Sequence, residues 1–166
     1  MSTKIKKIYL DMDGVIADFN KGYRDLNNME PREAEKNKKF DHFFDEFIAA
    51  GKFASLDLMP GARELITFLN HLYLNRSIPT EILSSTASQE RYDEVSRQKI
   101  YWLQKNHISF KPNFVPGKRF KYQFATPDSI IIDDTLSVIE DWRKSGGIAI
   151  WHKDVASTLA QLKMYL

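Results

Sequence analysis

Three short apolar runs in this chain each stop at a polar cluster. Residues 5–10 run into Asp11-Met12-Asp13-Gly14, residues 79–83 into Ser84-Ser85-Thr86, and residues 129–132 into Asp133-Asp134. An apolar run of this length, closed by polar residues or glycine, suits a strand covered on both faces. Ile130, Ile131 and Ile132 are β-branched, which favours strand further. Between the runs the apolar spacing turns helical. Leu65, Ile66, Leu69, Leu72 and Tyr73 form a stripe over residues 62–74. Tyr92, Val95, Ile100, Trp102 and Leu103 form one over residues 89–106, and Leu159, Leu162 and Met164 one over residues 155–165. Further helices are expected at 120–125 and 136–145, and further strands at 113–115 and 148–151, the last led in by Gly146-Gly147. Strands alternating with helices predict an α/β, Rossmann-like fold: a mainly parallel sheet with helices on both faces.

That fold class bears directly on function. In an open parallel sheet, ligands bind outside the carboxyl ends of the strands. Asp11 with Asp13, Ser84 with Ser85, and Asp133 with Asp134 all fall at such ends, so the sequence predicts that they meet.

Residues 19–58 do not fit the alternation. They are helical and aromatic, with Phe40, Phe43, Phe44 and Phe47 spaced for one helix face. Pro31 suits a helix start and Gly51 a helix end. The division expected is a core of residues 1–18 and 59–166, with a small helical cap at 19–58.

Composition narrows the function classes. At 166 residues one domain is expected, and a net charge of +2 gives no global argument for a nucleic-acid or membrane partner. The chain has no cysteine, which excludes thiolate nucleophiles, disulfides and cysteine-ligated metals. It fits a reducing cytoplasm, the location expected here. No apolar run reaches the ~18 residues of a membrane span, and the N-terminus lacks the pattern of a signal peptide.

Four clustered aspartates would repel unless a cation joins them. A hard divalent ion, Mg2+ first, is the expected cofactor. Taken alone, Asp-x-Asp-Gly also suits turns and calcium loops. The calcium loop fails here because Val15, Ile16 and Ala17 stand where further oxygen ligands are needed.

The run Leu10-Asp11-Met12-Asp13-Gly14-Val15 resembles the first motif of the haloacid dehalogenase superfamily of phosphohydrolases. Ile82-Leu83-Ser84 resembles its second, Lys121 or Lys118 its third, and Ile130-Ile131-Ile132-Asp133-Asp134 its fourth. The resemblance implies that Asp11 is a nucleophile that becomes an aspartyl phosphate. It implies that Asp13 is the general acid and base, and that Lys121 neutralises charge at the phosphate, with Lys118 as the alternative. Ser84 would hold a phosphoryl oxygen, helped by backbone N–H groups near Gly14 and Ser85. Asp11, the Asp13 carbonyl, Asp133 and Asp134 would hold Mg2+, with Asp134 the direct ligand and Asp133 assisting.

The run from Asp11 to Phe19 is also similar to the opening of the 5′(3′)-deoxyribonucleotidases. That similarity implies a nucleoside monophosphate substrate, with Phe19 lining the nucleoside pocket and Phe43 and Phe44 stacking on the base. The chain departs from that family in its short cap and in Ser84-Ser85-Thr86 at the second motif. A nucleic-acid 3′-phosphate or a sugar phosphate is the alternative substrate; nucleic acid enters only in that role. An inactive binding module would have lost the nucleophile or the acid, and both are present.

Overall fold

The structure, a computed structural model, describes residues 4–166. Strand β1 (Lys7–Leu10) leads to a helical excursion of α1 (Phe19–Asn27), α2 (Pro31–Lys36) and α3 (Phe40–Ala49), then a 3₁₀ turn at Lys52–Ser55. The alternation follows: α4 (Ala62–Arg76), β2 (Thr80–Ser85), α5 (Tyr92–Lys105), β3 (Lys111–Val115), a 3₁₀ segment at Lys118–Phe124, β4 (Ser129–Asp133), α6 (Leu136–Lys144), β5 (Ile148–Trp151) and α7 (Val155–Tyr165). The sheet has five strands in the order β3-β2-β1-β4-β5, and every pairing is parallel.

Residue alternation along the strands builds a core on each face. Ile8, Leu10, Ile82, Ile130, Ile132 and Ile150 point into one core, with apolar residues of α4, α5 and α7. Tyr9, Leu83, Ile131 and Ala149 point into the other, beneath Val138, Ile139 and Trp142 of α6. Both faces of each central strand are therefore buried, as their unbroken apolar runs require.

The strand order reverses between β1 and β4, which lie side by side. At such a switch point, connections leave in opposite directions and open a crevice at the carboxyl ends. The pairing of Leu10 with Ile132 brings Asp11 and Asp133 to that crevice together, and the Asp11 N–H donates to the Ile132 carbonyl at 3.0 Å.

The excursion at residues 19–58 is broken where left-handed residues interrupt it, at Asn28 (φ 52°) and Lys38 (φ 57°). Pro31 takes the first position of α2, and Gly51 follows α3 with φ +69°. Phe19, Tyr23, Phe40, Phe44, Phe47 and Phe53 pack against one another with centroids 5.0–6.5 Å apart. This aromatic cluster runs without a gap into the core over α4 and α5. No helix among the described residues is long and apolar enough to cross a membrane.

Candidate active site

Residues 11–17 form a tight loop. The Met12 carbonyl accepts from the amides of Val15, Ile16 and Ala17, at 3.1, 2.9 and 2.9 Å. Val15, Ile16 and Ala17 are buried and anchor this loop from below. The Gly14 amide donates to the Ala17 carbonyl at 2.9 Å, so it is committed within the loop. The expectation placed phosphate-binding N–H groups near Gly14, and the Gly14 amide itself is taken. Among the described residues, the amides of Met12 and Asp13 have no protein acceptor. Gly14 instead provides space: its φ is +80°, and a Cβ there would lie 2.0 Å from Asp134 Oδ2. Only glycine lets the Asp134 carboxylate come this close.

Asp11, Asp133 and Asp134 offer oxygens that all lie within 4.8 Å of one another. Lys121 is buried between two of them, its Nζ 2.9 Å from Asp11 Oδ1 and 2.7 Å from Asp133 Oδ2. Lys118, the alternative lysine, is exposed, and its Nζ lies 3.4 Å from Thr135 Oγ1. Both lysines lie in the 3₁₀ segment, but only Lys121 is buried.

The two adjacent aspartates differ. Asp133 is fully buried and both its oxygens are engaged, one by Lys121 and the other by the Thr135 amide at 2.9 Å. Asp134 has no ion pair among the described residues; Thr135 Oγ1 donates to its Oδ1 at 3.4 Å, and its carboxyl lies beside that of Asp11. Although Asp134 reaches the surface, its carboxyl is pushed up to about 8, by partial desolvation first and then by the neighbouring charges of Asp11 and Asp133. Burial and Asp11 raise Asp133 as well, against the pull of Lys121. Burial alone would lower Lys121, but the Asp11 and Asp133 carboxylates outweigh it and hold it above the usual lysine value. One ammonium faces three carboxyl groups, and without a further cation the surplus is relieved at Asp134, the carboxyl pushed up to about 8. An all-oxygen cluster with this surplus fits a hard divalent ion such as Mg2+. Asp133 thus has both oxygens engaged by strong donors, whereas Asp134 has only the Thr135 hydroxyl at 3.4 Å.

The third strand end completes the group. Ser84 is fully buried, and its Oγ accepts from Lys99 Nζ at 2.7 Å, which leaves the hydroxyl proton free to donate elsewhere. Ser85 Oγ accepts from the Ala87 amide at 3.0 Å and is spent on the turn. Asp13 Oδ2 accepts from Lys99 Nζ at 2.9 Å, while Asp13 Oδ1 is buried with no partner among the described residues.

The aromatic candidates divide. Phe44 is 4% exposed, packed on Phe40 and covered by the Arg91 guanidinium at 4.8 Å. Its faces are occupied by the aromatic cluster, so it is not available to stack on a base. Phe19 and Phe43 are half-buried. Phe19 stacks on Phe53 at 5.7 Å, and Phe43 lies beside His42.

Lys99 is the site residue that sequence reading overlooked. Its signal was present: Val95, Lys99 and Leu103 follow one another at helical spacing, so a lysine sits on the buried stripe of α5. Ile100, assigned to that stripe, is instead 38% exposed.

No family model and no curated protein sequence matches the chain. Solved structures do. A hydrolase from Streptococcus pneumoniae TIGR4 superposes with a TM-score of 0.55 at 14% identity, over 96% of this chain and 99% of that one. A phosphonoacetaldehyde hydrolase-like protein from Oleispira antarctica gives 0.56 at 14%, over 99% and 83%. A HAD family enzyme from Bacteroides thetaiotaomicron gives 0.54 at 13%, over 93% and 98%; that protein is an aspartate-to-alanine mutant in complex with magnesium and inorganic phosphate. The chain has the fold of the haloacid dehalogenase-type hydrolases.

Proposed function

We propose that this chain is a Mg2+-dependent phosphomonoester hydrolase that works through an aspartyl phosphate on Asp11. The observation that carries the proposal is one cluster: Asp11, Asp133 and Asp134 within 4.8 Å, Lys121 bridging two of them, and Asp13 two residues on with a buried, unpartnered oxygen. The solved HAD enzyme in complex with magnesium and inorganic phosphate supports it through shared fold.

The roles follow from what each group can do. The Asp11 carboxylate attacks phosphorus, and Lys121 fixes one of its oxygens. As the bond from phosphorus to the ester oxygen breaks, that oxygen takes a proton from Asp13. In the second step Asp13 takes a proton from the water that attacks the aspartyl phosphate, releasing inorganic phosphate and restoring Asp11. Phosphoryl oxygens are held by the Ser84 hydroxyl and the Met12 and Asp13 amides, which have no protein acceptor among the described residues. Asp11, Asp134 and the Asp13 carbonyl, with Asp133 assisting, would hold Mg2+, which would supply charge neutralisation at the phosphoryl group.

Within this class we infer a small ester, a nucleoside monophosphate, with its base against the half-buried rings of Phe19 and Phe43. The test is phosphate release from 5′- and 3′-nucleotides, sugar phosphates, a 3′-phosphorylated oligonucleotide and an aryl phosphate, each with Mg2+ and with EDTA. Mg2+-dependent release concentrated on nucleotides is the expected result. Release confined to sugars or the oligonucleotide discards the base pocket and keeps the chemistry; no release from any substrate by folded protein discards both.

A further inference from the structure

Lys99 lies in the middle of α5 and is 1% exposed, yet it is a charged residue with no place in the mechanism above. An ammonium has three N–H donors, and all three have partners here: Asp13 Oδ2 at 2.9 Å, Ser84 Oγ at 2.7 Å and the Ser85 carbonyl at 2.9 Å. Its remaining side is covered by the ring of Phe53, 4.9 Å away. Lys99 therefore has no donor free for a substrate. Its partners join two separate strand ends, the loop after β1 and the end of β2.

The ring over Lys99 is itself held in place. The Phe53 amide donates to Gln98 Oε1 at 3.1 Å, Gln98 Nε2 donates to the Ile48 carbonyl at 2.9 Å, and Trp102 Nε1 donates to the Leu56 carbonyl at 2.7 Å. One face of α5 thus grips residues 48–56 and lays Phe53 on the ammonium.

We propose that Lys99 is a positioning residue: it fixes the Asp13 carboxyl and the Ser84 hydroxyl relative to each other, and the 48–56 segment seals it from water. This rests on the proposed roles of Asp11 and Asp13. A buried lysine is costly unless fully paired, and here two of its three hydrogen bonds go to the group assigned proton transfer and the group assigned phosphate binding, the third to the Ser85 carbonyl. Ser84 can then donate only its own proton, outward. Asp13 keeps Oδ2 tied to the ammonium, and Oδ1 is left without a partner among the described residues.

Leaving-group dependence tests this. Protonation matters more for a poor leaving group, so loss of Asp13 positioning slows phenyl phosphate more than p-nitrophenyl phosphate. With Mg2+ present, kcat/KM is measured on both for wild type, Lys99→Met, Asp13→Asn and the double variant, with folding checked by circular dichroism. For Lys99→Met the expected loss is on the order of 100-fold on phenyl phosphate, the scale of a small misplacement of a catalytic group, and several times less on p-nitrophenyl phosphate. In the Asp13→Asn background Lys99→Met adds little, since coupled residues are not additive. Equal losses on both esters, or a full further loss in that background, overturn the proposal.

Should Lys99→Met not fold, a crystal structure of the wild type with Mg2+ and tungstate decides. Lys99 Nζ stays on Asp13 and Ser84 if it positions them; its transfer to the oxyanion makes it a phosphate ligand and overturns the proposal. Asp11→Asn separates the two failures. If that variant keeps activity, the aspartyl-phosphate reading has failed; if it is inactive while Lys99→Met slows both esters equally, only the role of Lys99 has failed.

Discussion

At the scale of single residues, Gly14 and Lys121 have opposite tasks. Gly14 makes room: its φ of +80° disfavours any side chain, and a Cβ would strike Asp134 Oδ2 at 2.0 Å. Gly14→Ala should weaken Mg2+ binding at least tenfold by calorimetric titration, since Asp134 must move, and cost more than ~1 kcal/mol of stability. Lys121 fills room with charge. Lys121→Met leaves Asp11 and Asp133 buried without their cation, and breaking such a pair costs ~3–5 kcal/mol. Urea unfolding with and without Mg2+ should show that loss, with part of it recovered by the metal. The aspartates were legible in the sequence because strand ends followed by acidic pairs are local patterns. Lys99 was not, because its partners lie 14 to 86 residues away and the helix stripe was read one position out of register around Ile100. The stacking role for Phe44 failed for a related reason: helical spacing places Phe40, Phe44 and Phe47 on one face but does not say whether that face meets a ligand or a core.

At the scale of elements, α5 is the joint between the inserted helices and the sheet. Two of its contacts are chemically unlike. Trp102 Nε1 donates to the buried Leu56 carbonyl, whereas Arg91 meets Asp45 at 2.8 Å where the aspartate is exposed. Trp102→Phe strands a buried carbonyl and should cost ~1–3 kcal/mol. Asp45→Ala removes the exposed half of the second pair and should cost under ~1 kcal/mol. Equal losses in urea unfolding would contradict this account of the joint. The strands of the sheet were readable, with ends shifted by at most two residues. The inserted segment was readable as helical but not as three helices, because its breaks depend on left-handed conformations at Asn28 and Lys38, residues that carry no Gly or Pro signal.

At the scale of the whole molecule, the parallel order β3-β2-β1-β4-β5 gathers negative charge at one edge of the β1–β4 crevice, and this has a measurable consequence for stability. Asp134 titrates at about 8 in the fold, well above an unfolded aspartate, so in the window below that value the fold holds a proton that the unfolded chain has released. Stability of the metal-free protein therefore falls as pH rises through that window. Asp133 is raised and acts in the same direction. His152, lowered first by burial, acts oppositely near its ordinary 6.5. The test accordingly runs from 6.5 to about 8. Thermal midpoints without metal should fall across this range. Mg2+ should raise them and flatten the slope, since a cation takes the place of the proton. A slope unchanged by Mg2+ would mean that the carboxylates hold no metal.

The central claim is that Asp11 becomes covalently phosphorylated. Rapid quenching during turnover of an aryl phosphate with Mg2+, followed by borohydride reduction and mass spectrometry, reads this directly. The account predicts that the peptide carrying residue 11 shows the mass change of an aspartate reduced to homoserine, and that EDTA or Asp11→Asn abolishes it. Turnover with that peptide unmodified, or with the label on another residue, would contradict the account.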